Sequence, residues 1–403
     1  MLNGTIVIIA LALGSYFAFS KRLSHSSNWK ATVTPLASIM GSGFLISAPL
    51  LAGIVGNLAV IYMALLLVLA YLVGEAIRFN IRHFEPIENE GHGLAQGVGS
   101  FSRIVLTCAY FISITYYLQL LSAFLLNSVN IKNEIAANCI TTALLVSIGG
   151  IGMWRGLDEL EKVEKYAIAL NLGIIGALLA GLGIYNFQLT ASGLWELPRI
   201  SSSVNFRDLR VLLGLLIVVQ GFETSRYLGQ EHTADQRIRT MRTAQLIATG
   251  IYLTFIVLAT ILFHKDLGSD VTAIISMSTS VASALPLLLS VAAIGSQFSA
   301  SVADTSGAGG LIQDIIHAKL SIRATYLLVT IVTVALTWVT NVNEIIAYAS
   351  RAFALYYTLQ CSVAWIVARQ NRTHLTRPQQ RLWLFGALAL ICLLVFLLGI
   401  PSG

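Results

Sequence analysis

Apolar residues run along almost the whole chain in blocks separated by short polar stretches. Each block is near the ~20 residues a helix needs to cross a bilayer. Twelve blocks can be counted, at about 4–20, 31–53, 55–77, 102–127, 134–153, 163–185, 209–228, 243–263, 284–313, 323–340, 344–368 and 382–400. Two of them are interrupted. The second reads ATVTPLASIMGSGFLISAPLLAG, with Gly41, Ser42 and Gly43 at mid-span between Pro35 and Pro49. The seventh contains Gln220-Gly221-Phe222-Glu223, a glycine and a carboxylate within a membrane segment. Glycine and proline make poor continuous helix.

A helix that breaks inside a bilayer must satisfy its freed N–H and C=O groups against protein or a wet cavity, so a broken span is a candidate site for an ion or polar solute. The alternative is close packing of helices through small residues. The positions of the breaks separate the two readings. Spans two to six and seven to eleven form two blocks of five, each opening on an interrupted span. Five is odd, so the second block enters from the opposite side, and an inverted repeat follows. Paired interruptions at matching places in two halves point to a midplane binding site.

Composition agrees with the span count: 56% of the 403 residues are hydrophobic, 11% are charged and the mean hydropathy is +0.78, which excludes an ordinary soluble globule. Nineteen of the 25 Lys and Arg fall in alternate loops. Five (Lys132, Arg199, Arg207, Arg210 and Lys265) fall on the opposite side, and Arg351 lies within a span. Basic loops stay in the cytoplasm, so both termini are expected outside a plasma membrane, the inner membrane of a bacterium. The net charge of +6 then reports topology and gives no reason to invoke nucleic acid. Cys108, Cys139, Cys361 and Cys392 are scattered through apolar spans without metal-ligand spacing. The first and last spans read as peripheral, and the loop RHFEPIENEGHG as solvated.

Candidate chemistry is concentrated in a few polar positions. Tyr116 and Gln119 are three apart on one face of the fourth span; they line a pore or serve packing. Asp158 and Glu161 stand in the densest charge cluster and form either a solvated helix end or an inner gate. Glu223 is a functional carboxylate or the partner of Arg226, three residues on. In the ninth span Ser301, Asp304 and Thr305 share a face; oxygens there, opposite carbonyls freed by a broken helix, would suit a hard cation such as Na⁺. The competing reading is hydroxyls bonded back to their own helix. Arg351 needs a partner, for which Asp304 and Glu223 are candidates, or it holds a substrate carboxylate.

These residues carry a resemblance. GSGFLISAPLLAG is similar to the first core helix, and QGFETSRYLGQE to the sixth, of amino-acid permeases in the amino acid/polyamine/organocation superfamily of secondary transporters, which have the leucine-transporter fold. The extra span before the core, Gly149-Gly150 followed by Asp158, and Gln313-Asp314-Ile315 resemble the sodium:solute symporter branch. Two departures stand out. Asn171 occupies the position of a lysine found in many proton-coupled permeases, and Phe298-Ser299 keeps one of the paired hydroxyls of the sodium signature.

The resemblance implies an all-α membrane protein of about twelve transmembrane helices with a 5+5 inverted repeat and one extra helix at each end. The expected divisions are a peripheral span and basic loop (1–30), a first repeat (31–185), an extracellular loop (186–206), a second repeat (207–369) and a last span (370–403). The function implied is symport of a small polar organic solute, an amino acid or related carboxylate, with Na⁺ as coupling ion and no other cofactor. Ser38, Gly41, Ser42, Gly43, Tyr116, Gln220, Gly221, Phe222 and Glu223 are expected at the solute. Ala37, Met40, Ser299, Ser301, Asp304 and Thr305 are expected at the ion. The rivals are a proton-coupled permease using Glu223 or Asp304, and a membrane sensor of the same fold. An enzyme is not expected, because the histidines show no metal-protease spacing.

Overall fold

The structure is a computed structural model. It describes residues 2–401 except 132, 199, 201–203, 230, 265–266, 268–269, 317–318 and 374, and it describes the backbone alone at 24, 42 and 158–165. Among the described residues there is no strand. The crossing helices are α1 (Leu2–Phe19), α2 (Ser27–Val55), α3 (Ala59–His83), α4 (Leu94–Ser128), α5 (Glu134–Arg155) and α6 (Asp158–Ala191). The seventh crossing is split into α7 (Phe206–Leu213) and two short 3-10 stretches, Leu216–Val219 and Phe222–Tyr227. Then come α8 (Ala234–Ala259), α9 (Leu285–Ile315), α10 (Ile322–Val339), α11 (Val342–Gln370) and α12 (Pro378–Leu398). Among the described residues nine helical segments, one of them the joined α2 and α3, are long and apolar enough to cross a membrane, and each of the twelve apolar blocks falls on a helix or, for the seventh, on α7 and the two 3-10 stretches.

Helix starts follow local chemistry. Asn205 with Asp208, and Asn341 with Glu344, form reciprocal capping boxes that satisfy donors left over in the first turns of α7 and α11. Ser26, Asn133 and Ser321 cap α2, α5 and α10 through side-chain oxygens. The core is built by α9 and α11 packed on α4, by α2 packed on α8 and by α1 packed on α6.

Two outer elements are more engaged than the sequence suggested. Expected as peripheral, α1 lies so close to α6 that a Cβ on Gly173 would stand 2.6 Å from the Gly14 nitrogen and 2.7 Å from the Ala10 oxygen. After α12, the Ile400 N–H donates to the Arg210 carbonyl (3.2 Å), and Arg210 Nε donates to the Leu398 carbonyl (3.0 Å), tying the chain end to the seventh crossing.

The loop after α3 is solvated over residues 89–93, as expected, but not in its first part. Phe84 is fully buried, and Glu85 and Glu88 turn inward to two arginines. Arg237 grips Glu85 with both terminal nitrogens (3.0 and 2.6 Å) while donating to the Arg226 and His232 carbonyls. Arg226 pairs with Glu88 at 3.0 Å and donates to Gln360 Oε1. Asn80 donates to that same oxygen at 3.0 Å, and Gln360 Nε2 donates to Ser102 at 2.9 Å. One largely buried polar network thus joins α3, α4, α8, α11 and the 3-10 stretch Phe222–Tyr227 at the end of the molecule rich in Lys and Arg.

Candidate functional site

Both interruptions are real breaks, and they meet. In α2 the helical backbone is lost at Gly43 (φ 169°, ψ 16°), while Gly41 remains helical. In the seventh crossing Gln220 is extended and Gly221 takes φ 115°, a conformation that favours glycine. A Cβ on Gly43 would stand 2.7 Å from Val218 Cγ1 and 2.8 Å from its Cα. A Cβ on Gly221 would stand 2.6 Å from the carbonyl carbon of Ser38 and 2.7 Å from the Ile39 nitrogen. Each glycine therefore allows one broken backbone to lie directly on the other.

The freed backbone groups are met by side chains from the surrounding helices. Tyr252 of α8 sends its hydroxyl to the Ile39 carbonyl (3.0 Å) and to the Val218 carbonyl, bridging the two breaks. Gln297 of α9 donates its amide N–H to the Gly41 carbonyl at 2.9 Å. Ser350 of α11 accepts the Ile217 N–H at 2.9 Å. Phe44, just past the first break, packs its ring 4.5 Å from Phe255 and 5.3 Å from Tyr252. Tyr252 and Ser350 escaped the sequence reading because a lone hydroxyl in an apolar span carries no periodic signal. Gln297 was visible in the polar run of the ninth span, but its reach across to α2 was not.

Glu223 sits one residue beyond Phe222 in the second 3-10 stretch and is 1% exposed. Its carboxylate accepts the Tyr357 hydroxyl at 2.8 Å and the Gly221 N–H at 3.0 Å. Both donors are neutral. The alternative pairing with Arg226 is overturned, since that arginine is committed to Glu88 and Gln360. Phe222 stacks on Tyr357 with centroids 5.2 Å apart. Gln220 donates to the Tyr117 hydroxyl at 2.8 Å. Thus Tyr117 reaches the break, and the Tyr116 ring lies 5.0 Å from that of Tyr117. Gln119 turns to the carbonyls of Thr337 and Thr340, both at 3.2 Å.

Beside the breaks lies a cavity of ≈ 40 Å³. Ala37 and Ser38 of α2, Asn171 of α6, Thr224, and Ser296 and Ser299 of α9 are among its lining. Space of this size holds one ion or a few waters, on the scale of ~10–15 Å³ per probe-sized occupant. Of the residues expected at an ion, Ala37 and Ser299 meet here. Met40 is buried nearby in α2 but outside the lining.

The other three expected ion ligands are turned elsewhere. Ser301 donates to the Phe298 carbonyl (2.7 Å) and Thr305 to the Ser301 carbonyl (2.6 Å), each on its own helix. Asp304 faces α4, where it accepts the Ser113 hydroxyl. The cage assembled from one face of α9 is therefore corrected to Ser299 alone, because the side of α9 carrying Asp304 packs on α4. Arg351 reaches neither Asp304 nor Glu223: its Nε donates to the Phe396 carbonyl at 2.8 Å, and its guanidinium lies 5.7 Å from that ring. The Ser42 side chain, and those of Asp158 and Glu161, lie outside the described residues.

Comparisons with known proteins agree with this architecture. A family model described as "APC superfamily transporter" matches residues 21–399. A protein of Aquifex aeolicus strain VF5, named only as uncharacterized, is 43% identical over 381 residues, covering 93% of this chain and 92% of that one. Among solved structures, the manganese transporter of Eremococcus coleocola in complex with an aromatic bis-isothiourea substituted compound superposes with a TM-score of 0.57. It is 13% identical and covers 92% of this chain and 87% of its own. Two mutants of the same transporter give TM-scores of 0.55 and 0.56 at the same identity and coverage. At this identity the likeness is one of fold, the leucine-transporter architecture of a multi-pass membrane protein.

Proposed function

The chain belongs to the APC superfamily of transporters, and from that premise we propose that it moves a small polar organic solute, an amino acid or related carboxylate, in symport with protons exchanged at Glu223. The observation that supports this reading is the placement of Glu223. It is a fully buried carboxylate at the meeting of the two breaks, contacted by neutral donors. A charge is costly at such depth unless a proton or a cation accompanies it. Tyr357 and the Gly221 N–H hold the carboxyl in place, so the protonation state of Glu223 is tied to the backbone conformation at the second break.

The solute carboxylate would be met by N–H groups around Ser42 and Gly43, where the second half of α2 begins. The ≈ 40 Å³ cavity is far too small for an amino acid. Solute entry therefore requires the two broken segments to separate, first from one side and then from the other. The distribution of Lys and Arg supports putting the polar network of Arg226 and Arg237 on the cytoplasmic side, with both termini outside. In this reading that network is the closed inner end of the pathway.

Na⁺ is the second reading, favoured by the neutral oxygens of Ser38, Thr224, Ser296 and Ser299 around the small cavity. A manganese cargo like that of the Eremococcus protein is not favoured. Among the described residues no three His, Cys, Asp or Glu side chains come together as ligands, and a divalent transition metal without such donors is poorly held.

The test is uptake by proteoliposomes against a panel of amino acids and small carboxylates, driven by a pH gradient or by a Na⁺ gradient. Glu223→Gln should abolish accumulation driven by pH while preserving solute exchange without a gradient. Accumulation that follows Na⁺, ignores pH and survives Glu223→Gln would reject proton coupling and promote the second reading.

A further inference from the structure

At the end of the molecule rich in Lys and Arg, outside the broken-helix site, a pocket of ≈ 230 Å³ opens between α3, α8 and the start of α12. Arg78, Arg82 and His83 of α3, Arg239 and Arg242 of α8, and Arg381 of α12 line it, with one carboxylate, Glu75. Two of the five arginines are committed to acids: Arg78 to Glu75 at 3.1 Å, and Arg82 to Asp235 at 2.7 Å. The other three are positioned by neutral groups. Arg239 Nε donates to the Asp235 carbonyl of its own helix at 3.2 Å, and Arg242 Nε donates to the Tyr71 hydroxyl at 3.1 Å. Arg381 lies over the Phe79 ring at 5.4 Å. Three guanidiniums from two helices remote in sequence thus converge with no carboxylate partner among the described residues. Like charges repel, so an arrangement of this kind favours an anionic occupant that accepts several N–H donors, and phosphate oxygens suit guanidinium geometry.

The faces leading away from the pocket identify the source of the phosphate. Along α3, Ile61, Leu65 and Val68 continue the stripe of Glu75 and Arg82 at intervals of three and four, and all three are more than half exposed. Along α8, Arg239 and Arg242 are followed on the same face by Leu246, Gly250, Leu253 and Val257, with Leu246 and Val257 also more than half exposed. The two helices pack side by side. The result is a cationic pocket at the membrane surface above a pair of apolar stripes that run into the bilayer. A soluble anion would use the first and have no use for the second, whereas a phospholipid uses both. We propose that this pocket binds the phosphate headgroup of an anionic phospholipid whose acyl chains lie along α3 and α8.

The experiment uses the full chain in nanodiscs of phosphatidylcholine containing phosphatidylglycerol, with lipid retained on the released protein counted by native mass spectrometry. Wild-type protein should retain phosphatidylglycerol in preference to phosphatidylcholine. The combined variant Arg239→Gln, Arg242→Gln, Arg381→Gln should lose that preference by roughly tenfold or more, given three basic groups near the headgroup. A variant of equal charge change elsewhere at the same end, Arg155→Gln, Lys319→Gln, Arg323→Gln, should keep it, and millimolar inorganic phosphate should not displace the lipid. If the pocket variant unfolds in phosphatidylcholine alone, Arg381→Gln by itself carries the test with a smaller loss. The proposal is overturned by preference retained in the pocket variant, by equal loss in the remote variant, or by inorganic phosphate that competes the lipid away and so marks a free-anion site.

Discussion

Tyr252→Phe removes one oxygen from the place where the two broken spans touch, and it does so without changing the packing volume. Tyr252 is fully buried, and its ring lies 5.3 Å from that of Phe44. The hydroxyl donates to the Ile39 and Val218 carbonyls. In the variant the Val218 carbonyl, in a 3-10 turn that ends one residue later, loses the donor that satisfies it. A neutral hydrogen bond contributes about 1 kcal/mol net, and a buried polar group left unsatisfied costs ~1–3 kcal/mol. The expected destabilisation is therefore ~1–3 kcal/mol, concentrated on the contact between the two breaks. Because that contact must open during transport, the variant should exchange solute at least as fast as wild type yet accumulate less of it. Unfolding in mixed micelles, compared with the exposed control Tyr166→Phe, gives the first quantity, and counterflow against net uptake gives the second. A stability change within ~0.5 kcal/mol, together with unaltered uptake, would show that the hydroxyl does not hold the breaks together.

Other consequences are as direct. Gly221→Ala adds a Cβ 2.6 Å from the Ser38 backbone at a residue with φ 115°; strain of ~1–3 kcal/mol and a comparable overpacking cost should sharply reduce folded yield, as size-exclusion profiles from membranes will show. Glu85→Gln and Arg237→Gln should show a coupling of ~0.5–3 kcal/mol in a double-mutant cycle of unfolding, and additive effects would deny the pair its structural role. Ser299→Ala should reduce activation of uptake by Na⁺ if the cavity against Ala37 and Ser38 holds that ion, and should leave a purely proton-driven uptake unaltered.

The lengths and spacing of the apolar blocks were enough to locate the helices, because a bilayer sets a minimum apolar length for every span. The two breaks were legible for the same reason: glycine and proline at mid-span have a local backbone meaning. What could not be read was which face of α9 looks at α2. Ser299, Ser301, Asp304 and Thr305 form one polar run, but α9 packs against α4 on one side and α2 on another, so the run is divided between them. Glu85 and Glu88 were misread because loop composition resembles solvent exposure. Their partial burial and their pairing depend on Arg226 and Arg237, more than 130 positions away. Tyr117, which takes the Gln220 amide, stands one helical step of about 100° from Tyr116, finer than residue types alone could resolve.

The buried network at the basic end contains Arg226, Arg237, Glu85 and Glu88, with Asn80, Gln360 and Ser102 as neutral members. Its formal charges cancel. A transmembrane voltage acts on net charge displaced through the field, at about 2.3 kcal/mol per elementary charge per 100 mV. Where each arginine moves together with its own glutamate the two displacements cancel, and the network adds no net gating charge. Any current, or any dependence of turnover on membrane potential, then belongs to the cargo, its coupling ion and the charge on Glu223 at the breaks. A voltage clamp across a membrane carrying this protein would read those charges per cycle with nothing to subtract for the paired arginines.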